Sequence, residues 1–197
     1  MNTFTYVIED RLYINLTNQC TNDCEFCIRR YKDGIEKYYL WLDREPTVAE
    51  VIEKLHDADK YKQVVFCGFG EPLMRLNEVV EIGKYLKSRG IRVRLNTNGQ
   101  ALLIYPDTDV PAMLADAVDK VSISLNASDA EKYDDICHSV FGREAYPAII
   151  QFAKDCLVEG LKVRLTIMDI AGEEEVAKAK IIADDIGAEL FVRKMEN

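Results

Sequence analysis

The chain has 197 residues, 48% of them hydrophobic, and carries 34 acidic against 25 basic side chains for a net charge of -9. That length and apolar content suit one compact domain, and the acidic balance disfavours a polyanionic partner such as nucleic acid in favour of a small molecule. The N-terminus is acidic where a secretory leader is basic and apolar, and no apolar run reaches membrane-spanning length, so a cytoplasmic protein without membrane association is expected.

Along the chain, residues 12–17 form the first expected strand, an alternating run. Directly after it stand Cys20, Cys24 and Cys27, three of six cysteines within eight residues, in a CxxxCxxC spacing. Three thiolates hold three corners of a four-iron cluster and leave one iron open to a cofactor or substrate. A structural zinc wants a fourth ligand, and none lies near in sequence. Cys67, Cys137 and Cys156 are isolated, so no second cluster is expected, and with only His56 and His138 a histidine site is largely excluded. Residues 38–42 are rich in aromatics for a connection; their rings either pack on the protein or stack on a planar heterocycle.

Thr47 with Glu50 then marks a helix start, as Ser128 with Glu131 does later, both in capping-box spacing. Further strands are expected at 63–66, 91–97, 121–125, 162–168 and 189–192. Helices over 77–89, 145–159 and 173–186 end at Gly90, Gly160 and Gly187. Alternating strands and helices imply parallel pairing, with functional residues beyond the C-terminal strand ends.

Within the strands an apolar set (Leu12, Ile14, Leu16; Val121, Ile123, Leu125) alternates with a polar one (Tyr13, Asn15, Thr17; Arg92, Arg94, Asn96; Ser122, Ser124, Asn126; Arg164, Thr166). A dry, doubly wound core would penalise the polar set heavily. The expected architecture is therefore α/β, a partial (β/α)6 TIM-like barrel in a single domain spanning residues 1–197, its polar lumen holding cofactor and substrate. An antiparallel α+β sheet with one solvent face is the alternative.

The cysteine motif, Cys67-Gly68-Phe69-Gly70-Glu71-Pro72 after the second strand, Asn96-Thr97-Asn98-Gly99 closing the third and Ser122 to Asn126 closing the fourth together resemble the radical S-adenosylmethionine family. The resemblance covers nearly the whole chain. It implies a [4Fe-4S] cluster on Cys20, Cys24 and Cys27 whose open iron chelates the methionine moiety of S-adenosylmethionine. It implies cofactor contacts from Phe26 near the adenine, Gly70 and Glu71 near the methionine ammonium, Asn96, Asn98, Ser122, and Asn126 where the family often has an aspartate. Arg164 or Ser124 would meet the methionine carboxylate and Val192 the adenine.

The activity implied is reductive cleavage of the cofactor to a 5'-deoxyadenosyl radical, which takes a hydrogen from the substrate. A flavodoxin or ferredoxin would donate the electron, and Arg29, Arg30 and Lys32 form either its docking patch or an ordinary solvated helix end. Residues 11–27 with the glycine turn look like a compact TatD-associated branch that includes queuine lyases, which salvage queuosine by cleaving a carbon-nitrogen bond of queuine to give 7-aminomethyl-7-deazaguanine. Tyr13, Asn15 and Arg94 are then substrate-reading candidates, and no catalytic residue stands out. A 7-carboxy-7-deazaguanine synthase-like enzyme, a glycyl-radical enzyme activase acting on a protein and a non-enzymatic iron-sulfur carrier are the alternatives.

Overall fold

The computed structural model describes residues 2–194. The chain divides into two compact units, one of Met1–Cys20, Phe26–Asn96 and Met113–Asp119, the other of Thr21–Glu25, Thr97–Ala112 and Lys120–Asn197.

The first unit carries β1 (Thr5–Ile8), β2 (Arg11–Ile14), β3 (Gly34–Ile35), β4 (Tyr38–Tyr39), α1 (Val48–Lys54), β5 (Gln63–Phe66), α2 (Leu76–Ser88) and all but the last residue of β6 (Val93–Thr97). β2, β5 and β6 run parallel, with Leu12 opposite Val64 and Val64 opposite Val93. Their apolar positions are buried, as the alternation requires: Leu12, Ile14, Val64, Phe66, Val93 and Leu95. α2 buries Val79, Ile82 and Leu86, spaced three and four apart on one face. Thr47 and Glu50 form the expected capping box on α1. Gly90, at φ 72, follows α2 in the left-handed conformation that closes a helix without a Cβ clash.

Two features of this unit escape the alternation. β1 pairs antiparallel with β2 through a tight turn in which Glu9 takes φ 52, and β3 with β4 makes a two-residue hairpin around Glu36 at φ 51. Both turns place a non-glycine in the left-handed region, so the usual turn composition is missing from the sequence.

In the second unit, α3 (Ala101–Ile104) and the start of α4 (Val110–Ala115) lead to β7 (Lys120–Ser124), α5 (Ala130–Cys137), α6 (Ala145–Val158), β8 (Lys162–Met168), α7 (Glu173–Ile186) and β9 (Glu189–Arg193). β8 lies between β7 and β9, all parallel, with Val121 opposite Val163 and Leu165 opposite Leu190. Ile123, Leu165 and Ile167 are buried, as are Ile149, Phe152 and Ala153 of α6. β9 is weakly covered, with Phe191 46% and Val192 37% exposed. The start of α5 corrects the expected Ser128 capping box: Asp129 is the cap, accepting from the Lys132 N–H, because the Ser128 N–H is taken by the Glu175 carboxylate at 3.1 Å.

The fold is α/β with mostly parallel strands. Polar strand positions are substantially covered as well: Asn15, Thr17, Ser122, Asn126 and Thr166 are buried. No helix among the described residues is long and apolar enough to cross a membrane.

Candidate active site

The cysteine motif is divided between the units, with Cys20 and Cys27 in the first and Cys24 in the second. All three are half-buried, and none is bridged to another cysteine.

In the first unit, the chain leaving β2 is fixed by polar anchors. Asn15 donates to the carbonyls of Leu40 at 2.8 Å and Thr3 at 3.2 Å. Glu45 Oε1 accepts from the Thr17 hydroxyl at 2.5 Å and the Gln19 amide at 3.0 Å, while its Oε2 accepts from Arg75 at 3.0 Å. Arg75 also pairs with Glu78 at 2.8 Å, which holds that carboxyl below its ordinary pKa. The glycine turn after β5 lies along this segment: the Gly70 N–H donates to Thr17 O at 2.9 Å and the Glu71 N–H to Gln19 O at 2.7 Å. A Cβ on Gly70 would stand 2.4 Å from Thr17 O and 2.5 Å from Gln19 O, so only glycine permits the approach. Glu71 is buried, and its carboxylate caps the short helical turn Pro72–Arg75 through the Leu73 N–H.

Phe26 is half-buried, and Cys27 precedes the short turn Ile28–Arg30. Arg29 of the suggested docking patch donates to Asn18 O at 2.9 Å and lies over the Trp41 ring, which makes it a clamp on the cysteine segment; Arg30 and Lys32 are exposed. The aromatic stretch packs on the protein: Tyr6, Leu40 and Phe69 form a small core flanked by Tyr13, Tyr38 and Trp41. Tyr13 stacks on Tyr6 at 5.1 Å and Trp41 meets Phe69 edge-on at 5.0 Å. Arg94 and Asn96 are half-buried on β6, and the Oδ1 atoms of Asn96 and Asn15 are buried acceptors without a hydrogen-bond partner among the described residues.

In the second unit, residues 21–25 are bolted to α5 and to the chain after β6. The Asp23 and Glu25 N–H groups donate to the carbonyls of Cys137 and Ile136, each at 3.0 Å, and the Val140 N–H returns to Thr21 O at 2.9 Å. Gln100, fully buried, bonds four side chains: it accepts from Thr21 at 2.6 Å and Ser139 at 3.2 Å, and donates to Asn22 at 2.7 Å and Tyr133 at 3.1 Å. Asn22 adds a bond to Tyr133, and Asn98 one to Thr21. Gln100, Asn22 and Tyr133 were not legible as site residues, because their partners lie far off in sequence and neutral amides carry no motif. The Cys24 thiol hydrogen-bonds Cys137, and that bond, then burial, pushes its pKa up.

The remaining candidates are dispersed within this unit. Ser122 is buried and Ser124 half-buried on β7. Asn126, at φ 60, donates to Cys137 Sγ at 3.4 Å. Arg164 is engaged by Glu189 in two bonds of 3.0 and 2.8 Å and lies over Phe191; with Lys120 it holds the Glu189 carboxyl at about 2. Ser124 is therefore the less committed of the two groups suggested for the methionine carboxylate. Val192 lines a groove of about 570 Å³ with Asp169, Val176 and Leu190.

Among the described residues, no three His, Cys, Asp or Glu side chains are gathered as an ion site. The donor set still fits an iron-sulfur cluster in its chemistry: three unbridged thiols on one short loop, with Asn96 Oδ1 as a buried acceptor awaiting a donor.

The family model described as "Radical SAM superfamily" matches residues 14–181. A GTP 3',8-cyclase of Corynebacterium glutamicum (strain R) is 28% identical over 198 residues, covering 93% of this chain and 48% of the relative. A probable GTP 3',8-cyclase of Methanocaldococcus jannaschii is 30% identical over 184 residues, covering 92% and 57%. The chain thus spans about half the length of these curated relatives. Neither is a queuine lyase, so they support the superfamily and not the TatD-associated branch. In structure, Streptococcus suis SuiB bound to S-adenosylmethionine superposes with a TM-score of 0.74 at 16% identity, covering 96% of this chain and 41% of that one.

Proposed function

Because the chain belongs to the radical SAM superfamily, whose members work with a [4Fe-4S] cluster and S-adenosylmethionine, we propose that Cys20, Cys24 and Cys27 hold that cluster here and that the substrate is a small molecule with a guanine-type ring. When bound, cluster and cofactor supply a 5'-deoxyadenosyl radical that abstracts hydrogen. The observation that carries the reading is the cysteine loop itself, three unbridged thiols, with the Gly70 turn laid against the segment that leads into Cys20.

The protein's own residues position and exclude. The Glu45–Arg75 anchors and the Gly70 contact fix the chain into Cys20, and the Gln100 network fixes residues 21–25. Asn96 Oδ1 accepts from a cofactor ammonium or hydroxyl. Ser122 and Ser124 supply further polar contacts, and the partial barrel expected from the strand alternation belongs to this same reading. Arg30 and Lys32, exposed on an acidic protein, suit a flavodoxin or ferredoxin as electron donor.

The guanine-type substrate is supported from two directions. The curated relatives are named for GTP, and the cysteine and glycine segments resemble enzymes acting on queuine, a 7-deazaguanine. A lyase acting on queuine and a cyclase acting on GTP are separated by product. Anaerobic incubation with reductant, S-adenosylmethionine and either compound should raise 5'-deoxyadenosine above the substrate-free rate, giving the aminomethyl base from queuine or a 3',8-cyclised nucleotide from GTP. No rise with either compound, together with a rise on a glycine-containing protein partner, would replace this reading with the activase.

A further inference from the structure

Cys137 is the last residue of α5, is fully buried and has no part in the cluster motif, yet two independent features set it on Cys24. The first is backbone. The N–H groups on either side of Cys24, those of Asp23 and Glu25, donate to the carbonyls of Cys137 and Ile136, so residue 24 is pinned beside the last turn of α5. The second is side chain: the two thiols hydrogen-bond one another, and Asn126 Nδ2 approaches Cys137 Sγ at 3.4 Å from the other side. Neither sulfur is bridged.

We propose that Cys24 and Cys137 form a disulfide when the cluster-free protein meets a low-molecular-weight disulfide such as oxidised glutathione, and that this bridge withdraws a cluster ligand. Of this pair, Cys24 is half-buried and open to such an oxidant, while Cys137 is buried. Cys24, whose thiol is held protonated by its bond to Cys137 and by burial, gives up its proton to solvent and attacks one glutathione sulfur slowly, and the first glutathione thiolate leaves. Cys137 loses its proton and attacks Cys24 Sγ, expelling the second glutathione. Two protein thiols give up two electrons and two protons, and one oxidised glutathione becomes two reduced molecules. The second step is intramolecular between groups already in contact, which favours it over external thiols. Cys20 and Cys27 are the rival partners by sequence spacing, but the α5 anchors hold residue 24 against position 137.

The effect on iron rests on the proposed role of Cys24 as a cluster ligand; the bridge itself does not. The test treats the cluster-free full chain with oxidised glutathione and maps disulfides by mass spectrometry without reduction. A Cys24–Cys137 cross-link is expected as the main product, with iron uptake on later anaerobic reconstitution reduced at least threefold and restored by dithiothreitol. Cys137→Ala should instead retain one glutathione on Cys24. A bridge within residues 20–27, or stable glutathione on Cys24 of the unmodified sequence, would overturn the proposal. If the Cys24–Cys137 bridge forms but untreated protein takes up no iron, the pair stands and the cluster reading falls.

Discussion

The two stretches flanking Cys20 are held in opposite ways. Residues 15–19 hang on charge: Glu45 gathers Thr17, Gln19 and Arg75, and Arg75 reaches on to Glu78. Residues 21–25 hang on neutral groups, the Gln100 amide, Asn22 and Tyr133, all buried. Partly exposed ion pairs weaken with salt and acid, whereas a buried neutral network does not titrate but fails badly if one member is left unpaired. One short motif thus has a tunable side and a rigid side.

Gln100→Leu should have the largest effect on that contrast. It removes one buried partner each from Thr21, Asn22, Tyr133 and Ser139, and a loss of roughly 2–4 kcal/mol in denaturant unfolding, with faster iron release, is expected; a loss below about 1 kcal/mol would show that water replaces the amide. Gly70→Ala comes next, because its Cβ must displace the Thr17 and Gln19 carbonyls. About 1–3 kcal/mol and markedly lower iron uptake are expected, measured side by side on the reconstituted protein. Arg75→Met should cost about 1–2 kcal/mol, and only this variant should close on the parent protein as salt is raised; salt-independence would dissolve the distinction between the two sides.

The smallest effect is one of pH. Arg75 holds the Glu78 carboxyl below its ordinary value of 4.5, so the stability it contributes is fully present above 4.5 and is lost as pH falls through the lowered folded value. The gap between Arg75→Met and the parent should shrink in acid, while that of Gln100→Leu should stay level. Parallel acid titrations of the three proteins decide it.

Periodicity was enough to locate the three parallel strands of each unit and the helices closed by Gly90, Gly160 and Gly187, since burial of alternate positions and left-handed glycines are local signals. Partnerships formed across long sequence separations were not legible: Thr21 with Gln100, Asn22 with Tyr133, Cys24 with Cys137. Arg164 illustrates the limit. The family resemblance offered it, or Ser124, to the methionine carboxylate, and in the structure Glu189, opposite it on β9, takes the guanidinium, a pairing that no local signal announces. The aromatic stretch could be read either as core or as a stacking surface until Tyr6 and Phe69 were placed against it.

Asn126 constrains how this sequence can drift. Its amide donates to a buried sulfur at position 137, and an aspartate there would replace that donor with a buried ionised oxygen facing only a weak S–H donor. Asn126→Asp should therefore be tolerated better alongside a second change at 137 that brings a stronger donor, such as serine, so that the two positions are coupled.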